Sequence, residues 1–355
     1  HIDQMYRFVK ARYGDRLRGL EEPESPVPFW EEVVTRYPNS RRAPEAMMAL
    51  ARHYLSQGEV QKGLTSLRRL RETFPDTSWV QDALGIEQSI VAPRLRVEAP
   101  TQLQPGEPLT VDVMTRNIEA VNFTAEAFDL VGFVRSEEFQ RDTAAYLDNL
   151  STIESKPYFK QRLGEQIGSW TLETEDTGAY RWVSNPDQEL ALPEDFQGAF
   201  LLSAEADGIL FRSLHVATDK ALVVKPMIGE RQSRQNAYWF IDSETGDPVA
   251  ASEVVLRDHY SRNVRTGNQW MTRFYVQHRD GQINDSGLAT FPYDDRSNLP
   301  SNVRFRGTLS VAITADGSFA ITNTNQTRAG YSDWSNQVRT LTYTARPVYR
   351  PEQTV

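Results

Sequence analysis

The sequence predicts a multidomain chain in which a short all-α helical repeat is followed by all-β sandwiches, the first of them carrying a helical insertion. Three observations predict it. A tetrapeptide of aromatic, Pro, Asn/Asp and Ser/Thr recurs within a helix-periodic stretch. Hydrophobic periodicity switches from 3.6 to 2 at Pro93. Thereafter short apolar-alternating runs are separated by turn residues at sandwich spacing.

At 355 residues the chain is long enough for two to four separate cores, and its 39% hydrophobic and 25% charged residues describe folded protein. The formal net charge is −9 with no strongly basic stretch, which argues against a duplex nucleic-acid binder and disfavours electrostatic attachment to a membrane surface. There is no cysteine, so disulfides, thiolate metal sites and Cys nucleophiles are excluded together. No apolar run reaches the ~18 residues of a membrane span. The first residue is His1 rather than Met, and the expectation is that further sequence precedes it.

Residues 1–92 form the helical part. Trp30, Val33, Val34 and Tyr37 fall at i, i+3, i+4 and i+7, as do Met47, Leu50, Ala51 and Tyr54. Tyr37-Pro38-Asn39-Ser40 recurs as Phe74-Pro75-Asp76-Thr77, with a period close to the roughly 34 residues of tetratricopeptide hairpins. The aromatic closes an apolar stripe, Pro stops the helix, and Asn/Asp with Ser/Thr is expected to cap the next one. Gly58 breaks the chain between the units. The segment resembles tetratricopeptide repeats of bacterial envelope proteins. A packing spacer is the plainer reading of it, a peptide-binding groove for other envelope proteins the sharper one.

Residues 93–217 are the first sandwich, of immunoglobulin/fibronectin-like type. Leu109, Val111, Val113 and then Val121, Phe123, Ala125 alternate with polar residues around the turn and strand signals nearby, and Gln104-Pro105-Gly106-Glu107 is a turn. About 136–168 reads as a helical insertion. Strands resume at Trp170-Thr171-Leu172 and Tyr180-Arg181-Trp182, and the runs from Gly198 and Leu210 pair around Asp207-Gly208. Residues 218–339 are a second sandwich: Ala221–Val224 a buried strand, Ala237–Ile241 another, then Val254–Leu256, Leu288–Phe291, and a hairpin around Ala315-Asp316-Gly317. Residues 340–355 are the first strand of a further domain.

Motifs of chemistry are few. The sequence has no Gly-x-Gly fingerprint, no phosphate loop, no nucleophile elbow and no zincin helix. The histidines (His1, His53, His215, His259, His278) are scattered, although His215, His259 and His278 supply metal-ligand types. Asp242-Ser243-Glu244-Thr245-Gly246-Asp247 has calcium-like ligands without the EF-hand rhythm, and reads as a solvated turn. Glu173, Glu175 and Asp176 sit in one loop, whereas paired carboxylate catalysis needs two acids converging across a cleft. Trp170, Trp182, Tyr238, Trp239, Trp270, Phe274, Tyr275 and Trp334 read as core rather than as an exposed ligand row. Asn122 and Asn149 satisfy a glycosylation pattern that many unmodified proteins share. No catalytic, cofactor-binding or metal residue is assigned, and no cofactor is expected.

Ala345-Arg346-Pro347-Val348-Tyr349-Arg350-Pro351-Glu352-Gln353-Thr354-Val355 resembles the Asp-Arg-Pro-x-Tyr-Arg-Pro-Gly-x-x-Val strand that opens a macroglobulin-like (MG) domain in the α2-macroglobulin family. Ala345 and Glu352 depart from that pattern. Thr115-Arg116-Asn117-Ile118, Leu192-Pro193-Glu194-Asp195-Phe196-Gln197-Gly198-Ala199-Phe200, Thr218–Lys225 and Thr245-Gly246-Asp247-Pro248-Val249 resemble further strand motifs in family order. The resemblance implies the N-terminal arm of a large bacterial envelope-associated or secreted protein that traps proteases when a bait segment is cleaved. Its partners would be proteases, engaged through parts outside this chain, and the chain itself would not be an enzyme. The family's Cys-Gly-x-Gln thioester has no counterpart here. The alternative is a surface binding or adhesion protein with repeats and sandwiches as stalk and platform.

Overall fold

The structure is a computed structural model that describes residues 26–145, 150–228, 234–249, 252–267, 269–293, 296 and 298–324. His1, Asn149, Trp334 and the strand proposed for 340–355 lie outside the described residues. Among the described residues a short helical region precedes many strands in several sheets, as the sequence predicts. They fall into two compact units. One holds the helices up to Arg96 with Met114–Ala120 and Glu173–Asn185, and the other holds Val97–Val113, Val121–Leu172 and the chain from Pro186.

In the first unit α1 (Val27–Arg36), α2 (Ala43–Ser56), α3 (Val60–Thr73) and α4 (Trp79–Val91) pack in sequence. Their core is the periodic set Val33, Val34, Met47, Leu50, Ala51, Leu64, Leu67, Leu70 and Ala83. The α2–α3 turn explains Gly58. Its φ of 77° places it after the helix as a left-handed residue, with Glu59 N–H on Tyr54 O at 2.9 Å and Gly58 N–H on Leu55 O at 3.1 Å, the two bonds of a Schellman motif. The repeated tetrapeptide makes the same turn twice, through Ser40 N–H to Tyr37 O and Thr77 N–H to Phe74 O. The expected side-chain caps are not formed at α2 or α4. Ser40 accepts from Arg42 N–H instead and Thr77 donates back to Phe74 O. Pro44 in the first turn of α2 removes one of the donors a cap would serve.

The strands that follow are β1 (Arg94–Glu98), β2 (Gln102–Leu103), β3 (Leu109–Arg116) and β4 (Ala120–Phe128). Gly106, at φ 79°, and the Glu107 N–H to Gln104 O bond close the predicted turn before β3. Among the described residues the insertion has four short helices, α5 (Leu130–Arg135), α6 (Glu137–Arg141), α7 (Leu150–Ile153) and α8 (Pro157–Lys160). It therefore starts six residues before the expected 136 and gives way to β5 (Leu163–Glu173) before 168. Asp129 sets the start, its side chain accepting from Gly132 N–H. β6 (Val183–Leu190), β7 (Gly198–Ala206) and β8 (Ile209–Ala217) follow. Tyr180-Arg181-Trp182 is not a strand. Gly178 and Tyr180 both have positive φ, and Tyr180 packs on the helical core.

The sheet orders are β1-β3-β6 and β2-β8-β7-β4-β5. β7 and β8 form the predicted hairpin, with Asp207 and Gly208 both at positive φ, as a type I′ turn requires. The next strands are β9 (Lys220–Ile228), β10 (Arg234–Asp242), β11 (Ser252–Thr266), β12 (Gln269–Ile283), β13 (Leu288–Pro292), β14 (Arg304–Ile313) and β15 (Phe319–Thr324). They make sheets β13-β10-β9 and β12-β11-β14-β15. Leu222, Tyr238, Phe240, Val254, Leu256, Ile283, Ala289, Ala312 and Ala320 fill the core between them. β9 is buried on one face only, since Val223 is exposed beside buried Leu222, so Ala221–Val224 is an amphipathic strand rather than a fully buried one.

Candidate functional site

Residues 254–261 of β11 and 307–313 of β14 are buried on both faces, and the physical reason is the insertion. Alternation sends Val254 and Leu256 into the sandwich core and Val255, Arg257 and His259 to the opposite face. There Val255, Leu309, Val311, Ile313 and Phe319 meet Phe133, Phe139 and Phe159 of the insertion. On their other side these aromatics meet Phe128, Ala199, Leu201 and Val216. The Phe133 and Phe139 rings are 4.3 Å apart and those of Phe128 and Phe159 4.8 Å. The helical insertion is thus the shared filling between the five-stranded and four-stranded sheets.

Arg257 fastens that filling. It is 2% exposed, and the cost of burying its guanidinium is offset through the two terminal nitrogens, Nε having no hydrogen-bond partner among the described residues. Nη2 donates to the carbonyls of Phe139 (3.0 Å) and Asp142 (2.5 Å), and Nη1 to that of Ala145 (2.6 Å). The cation lies 4.0 Å from the Phe139 ring centroid. Nη1 also lies 2.5 Å from His259 Nε2, which must therefore accept and be neutral. Burial, then the charges of Arg257 and His278, hold His259 at about 3, while burial lowers Arg257 only to about 10 and leaves it cationic.

Neighbouring groups hold the loop that supplies these carbonyls. Asp142 takes Tyr158 OH at 2.9 Å, Lys156 Nζ at 3.0 Å and Ala144 N–H at 3.0 Å. Burial opposes its ionisation, but these donors outweigh it and lower its pKa. His278 Nε2 bonds Gln140 O at 2.9 Å, and Arg135 pairs with Glu253. On the core face Asp258, fully buried, pairs with Arg279 at 2.7 Å and accepts from Thr308 at 2.5 Å. A second joint lies at the start of β9, where Thr218 donates to Phe319 O at 2.7 Å and Gln104 Nε2 to Ser243 Oγ at 2.9 Å.

His259 and His278 share the Arg257 face, but His215 is in another sheet, between Pro100 O and Ser213 Oγ and stacked on Phe200. His53 packs edge-on to Trp30. Among the described residues no three His, Asp or Glu side chains could hold a metal ion. Asp242 is occupied by Glu244 N–H, Thr245 N–H and Lys220 Nζ, so its turn is self-satisfied rather than a calcium loop. Asp176 clasps Ile118 N–H and Gly178 N–H. Asn122 accepts from Thr171. Of the aromatics, Tyr238 is core, but Trp182, Trp239, Trp270 and Phe274 are exposed, which corrects the expectation of core packing. Arg257 belongs to no motif of the sequence, and its burial depends on contacts with the insertion more than a hundred residues away.

The Arg116-Asn117 motif also has a definite role, within the first unit. Arg116 Nη2 donates to Ser89 O at 2.6 Å and Asn117 Nδ2 to Ile90 O at 2.8 Å, satisfying carbonyls that end α4. Asn117 adopts φ 60°, a conformation Asn tolerates better than most residues. Among the described residues the helices carry an open groove of about 550 Å³ lined by Arg68, Arg71, Glu72, Pro75, Val80, Leu84 and Glu87. Glu87 is bridged there by Arg68 and Arg71. No described helix is long and apolar enough to cross a membrane.

No protein-family model matches the sequence, and no curated protein matches it. Among solved structures the chain is similar to native alpha-2-macroglobulin from Escherichia coli spanning domains MG0-NIE-MG1, at 13% identity and TM-score 0.38, over 65% of this chain and 64% of that one. A fragment of the same protein spanning NIE-MG1 gives 14% and 0.37, over 66% and 99%. A tetra-tandem repeat from the extending region of a large adhesion protein gives 12% and 0.22, over 65% and 48%.

Proposed function

We propose that this chain is the N-terminal scaffold arm of a bacterial α2-macroglobulin-like extracytoplasmic protein, a broad-spectrum protease-trapping inhibitor in the periplasm, at the envelope or secreted. The observation that carries the reading is where the family-like motifs sit. They occupy joints: Arg116 and Asn117 cap α4, and Thr218 ties the start of β9 to Phe319. Joints are what an arm needs if it is to move as a body when a trap closes. On this reading the chain is not an enzyme, proteases are engaged by parts outside it, and the helical repeat serves as a spacer or a contact for other envelope proteins.

The test is incubation of the full-length protein with broad-specificity proteases. A compacted, protease-retaining product on a native gel supports trapping, and simple fragmentation overturns it. Exposure of Trp182, Trp239 and Trp270 favours the second reading, a surface binding or adhesion protein. That protein would show affinity for a defined peptide or glycan and no mobility change with protease.

A further inference from the structure

β11 and β12 pair along their whole length, from Ser252↔Ile283 to Thr266↔Gln269. β14 accompanies β11 only as far as Ser261↔Arg304. Beyond that point the hairpin runs on as a two-stranded ribbon, and every side chain from Gln269 to Phe274 is exposed. Nothing in the sandwich core requires those side chains, so their chemistry is free to serve something else.

Two features set the ribbon apart. Trp270 is 72% exposed, Met271 54% and Phe274 45%. Alternation puts Trp270 and Phe274 on one face and Met271, opposite Val264, on the other. Apolar groups therefore surround the ribbon instead of marking one side of it. Its charge is also opposite to that of the chain. From Tyr260 to Tyr275 there are three arginines, Arg262, Arg265 and Arg273, and no Asp or Glu, in a protein of net charge −9. Among the described residues Arg262 and Arg273 have no ion-pair partner.

We propose that this ribbon docks on the surface of an anionic lipid bilayer. A protein partner would cover one face and leave the other wet, whereas a headgroup layer encloses both. Indole is suited to that boundary, apolar in body with a polar N–H. The arginine stems lie along apolar surface while their heads reach phosphate. The depth is interfacial, because the unpaired strand edges need hydration. The whole-chain charge that disfavours electrostatic attachment averages over this local reversal of sign.

The test is co-sedimentation of the whole 355-residue chain with vesicles of phosphatidylcholine alone or mixed equally with phosphatidylglycerol. The mixed vesicles retain the protein and the neutral ones do not. Arg262→Gln, Arg265→Gln and Arg273→Gln together weaken binding about a hundredfold, at roughly a factor of five per charge. Trp270→Ser with Met271→Ser also weakens it, with circular dichroism and thermal midpoint unchanged. Equal retention on neutral vesicles, or full retention of either variant, overturns the proposal. So does self-association without vesicles that Trp270→Ser abolishes, which would make a second copy the occupant.

Discussion

The guanidinium of Arg257 lies 4.0 Å from the centroid of the Phe139 ring while donating to that residue's own carbonyl at 3.0 Å. A cation from the middle of β11 is thereby held on both the side chain and the backbone of the helical insertion. Apolar burial supplies the attraction between insertion and sheet. Arg257 supplies the register, because its donors fit only one arrangement of the Phe139, Asp142 and Ala145 carbonyls.

Arg257→Ala should therefore destabilise the second unit by on the order of 3 kcal/mol, since three buried carbonyls lose their donor. Arg257→Lys should recover only part of this, because an ammonium cannot span the same fork of acceptors. Urea denaturation at neutral pH measures both.

Stability should fall on acidification before carboxylates titrate. His259 is held at about 3 in the folded chain against an ordinary 6.5, so the unfolded chain takes up its proton first. The contribution is complete above about pH 6.5 and is lost at about 1.4 kcal/mol per pH unit as pH falls toward the folded value. His278 and His215 are lowered in the same direction, chiefly by burial. Asp142, lowered by its donors, adds its own loss as pH falls through the ordinary carboxylate range toward its lower folded value. Replacing His259 with Gln should flatten the pH dependence of the denaturation midpoint between 6.5 and 4.

Asp258 and Arg279 should behave as one unit. Removing either leaves the other charge buried, so each alanine variant should lose on the order of 3 kcal/mol. The double variant should lose much less than their sum, which a double-mutant cycle in urea reads directly.

Two glycines should separate packing from backbone strain. At Gly287, φ is 71° and a Cβ would stand 2.6 Å from Phe240 O and 2.9 Å from Pro248 Cβ. At Gly267, φ is 61° and nothing lies within 4 Å. Gly267→Ala should cost about 1 kcal/mol through the left-handed backbone alone. Gly287→Ala should cost clearly more, as thermal midpoints will show.

Legibility followed the range of the interactions. Turns and hairpins are local, so Asp207-Gly208, Ala315-Asp316-Gly317 and the repeated aromatic-Pro tetrapeptide were readable as written. The Tyr180-Arg181-Trp182 run has strand composition, but Tyr180 is claimed by the helical core, a contact that periodicity does not encode. The ends of the insertion were misplaced because its helices are four to six residues long, too short for a 3.6-residue period to declare itself. Arg257 was hidden for a related reason. Val255, Arg257 and His259 look like the polar-leaning face of a half-exposed strand, and only the insertion, more than a hundred residues earlier, turns that face into an interior.

Hydrogen exchange of the Arg257→Met variant tests most directly whether insertion and sheet are one body. The account predicts that protection falls together across residues 130–145 and 252–261, while amides of α1–α4 keep theirs. Loss confined to β11, with the insertion as protected as before, would contradict it.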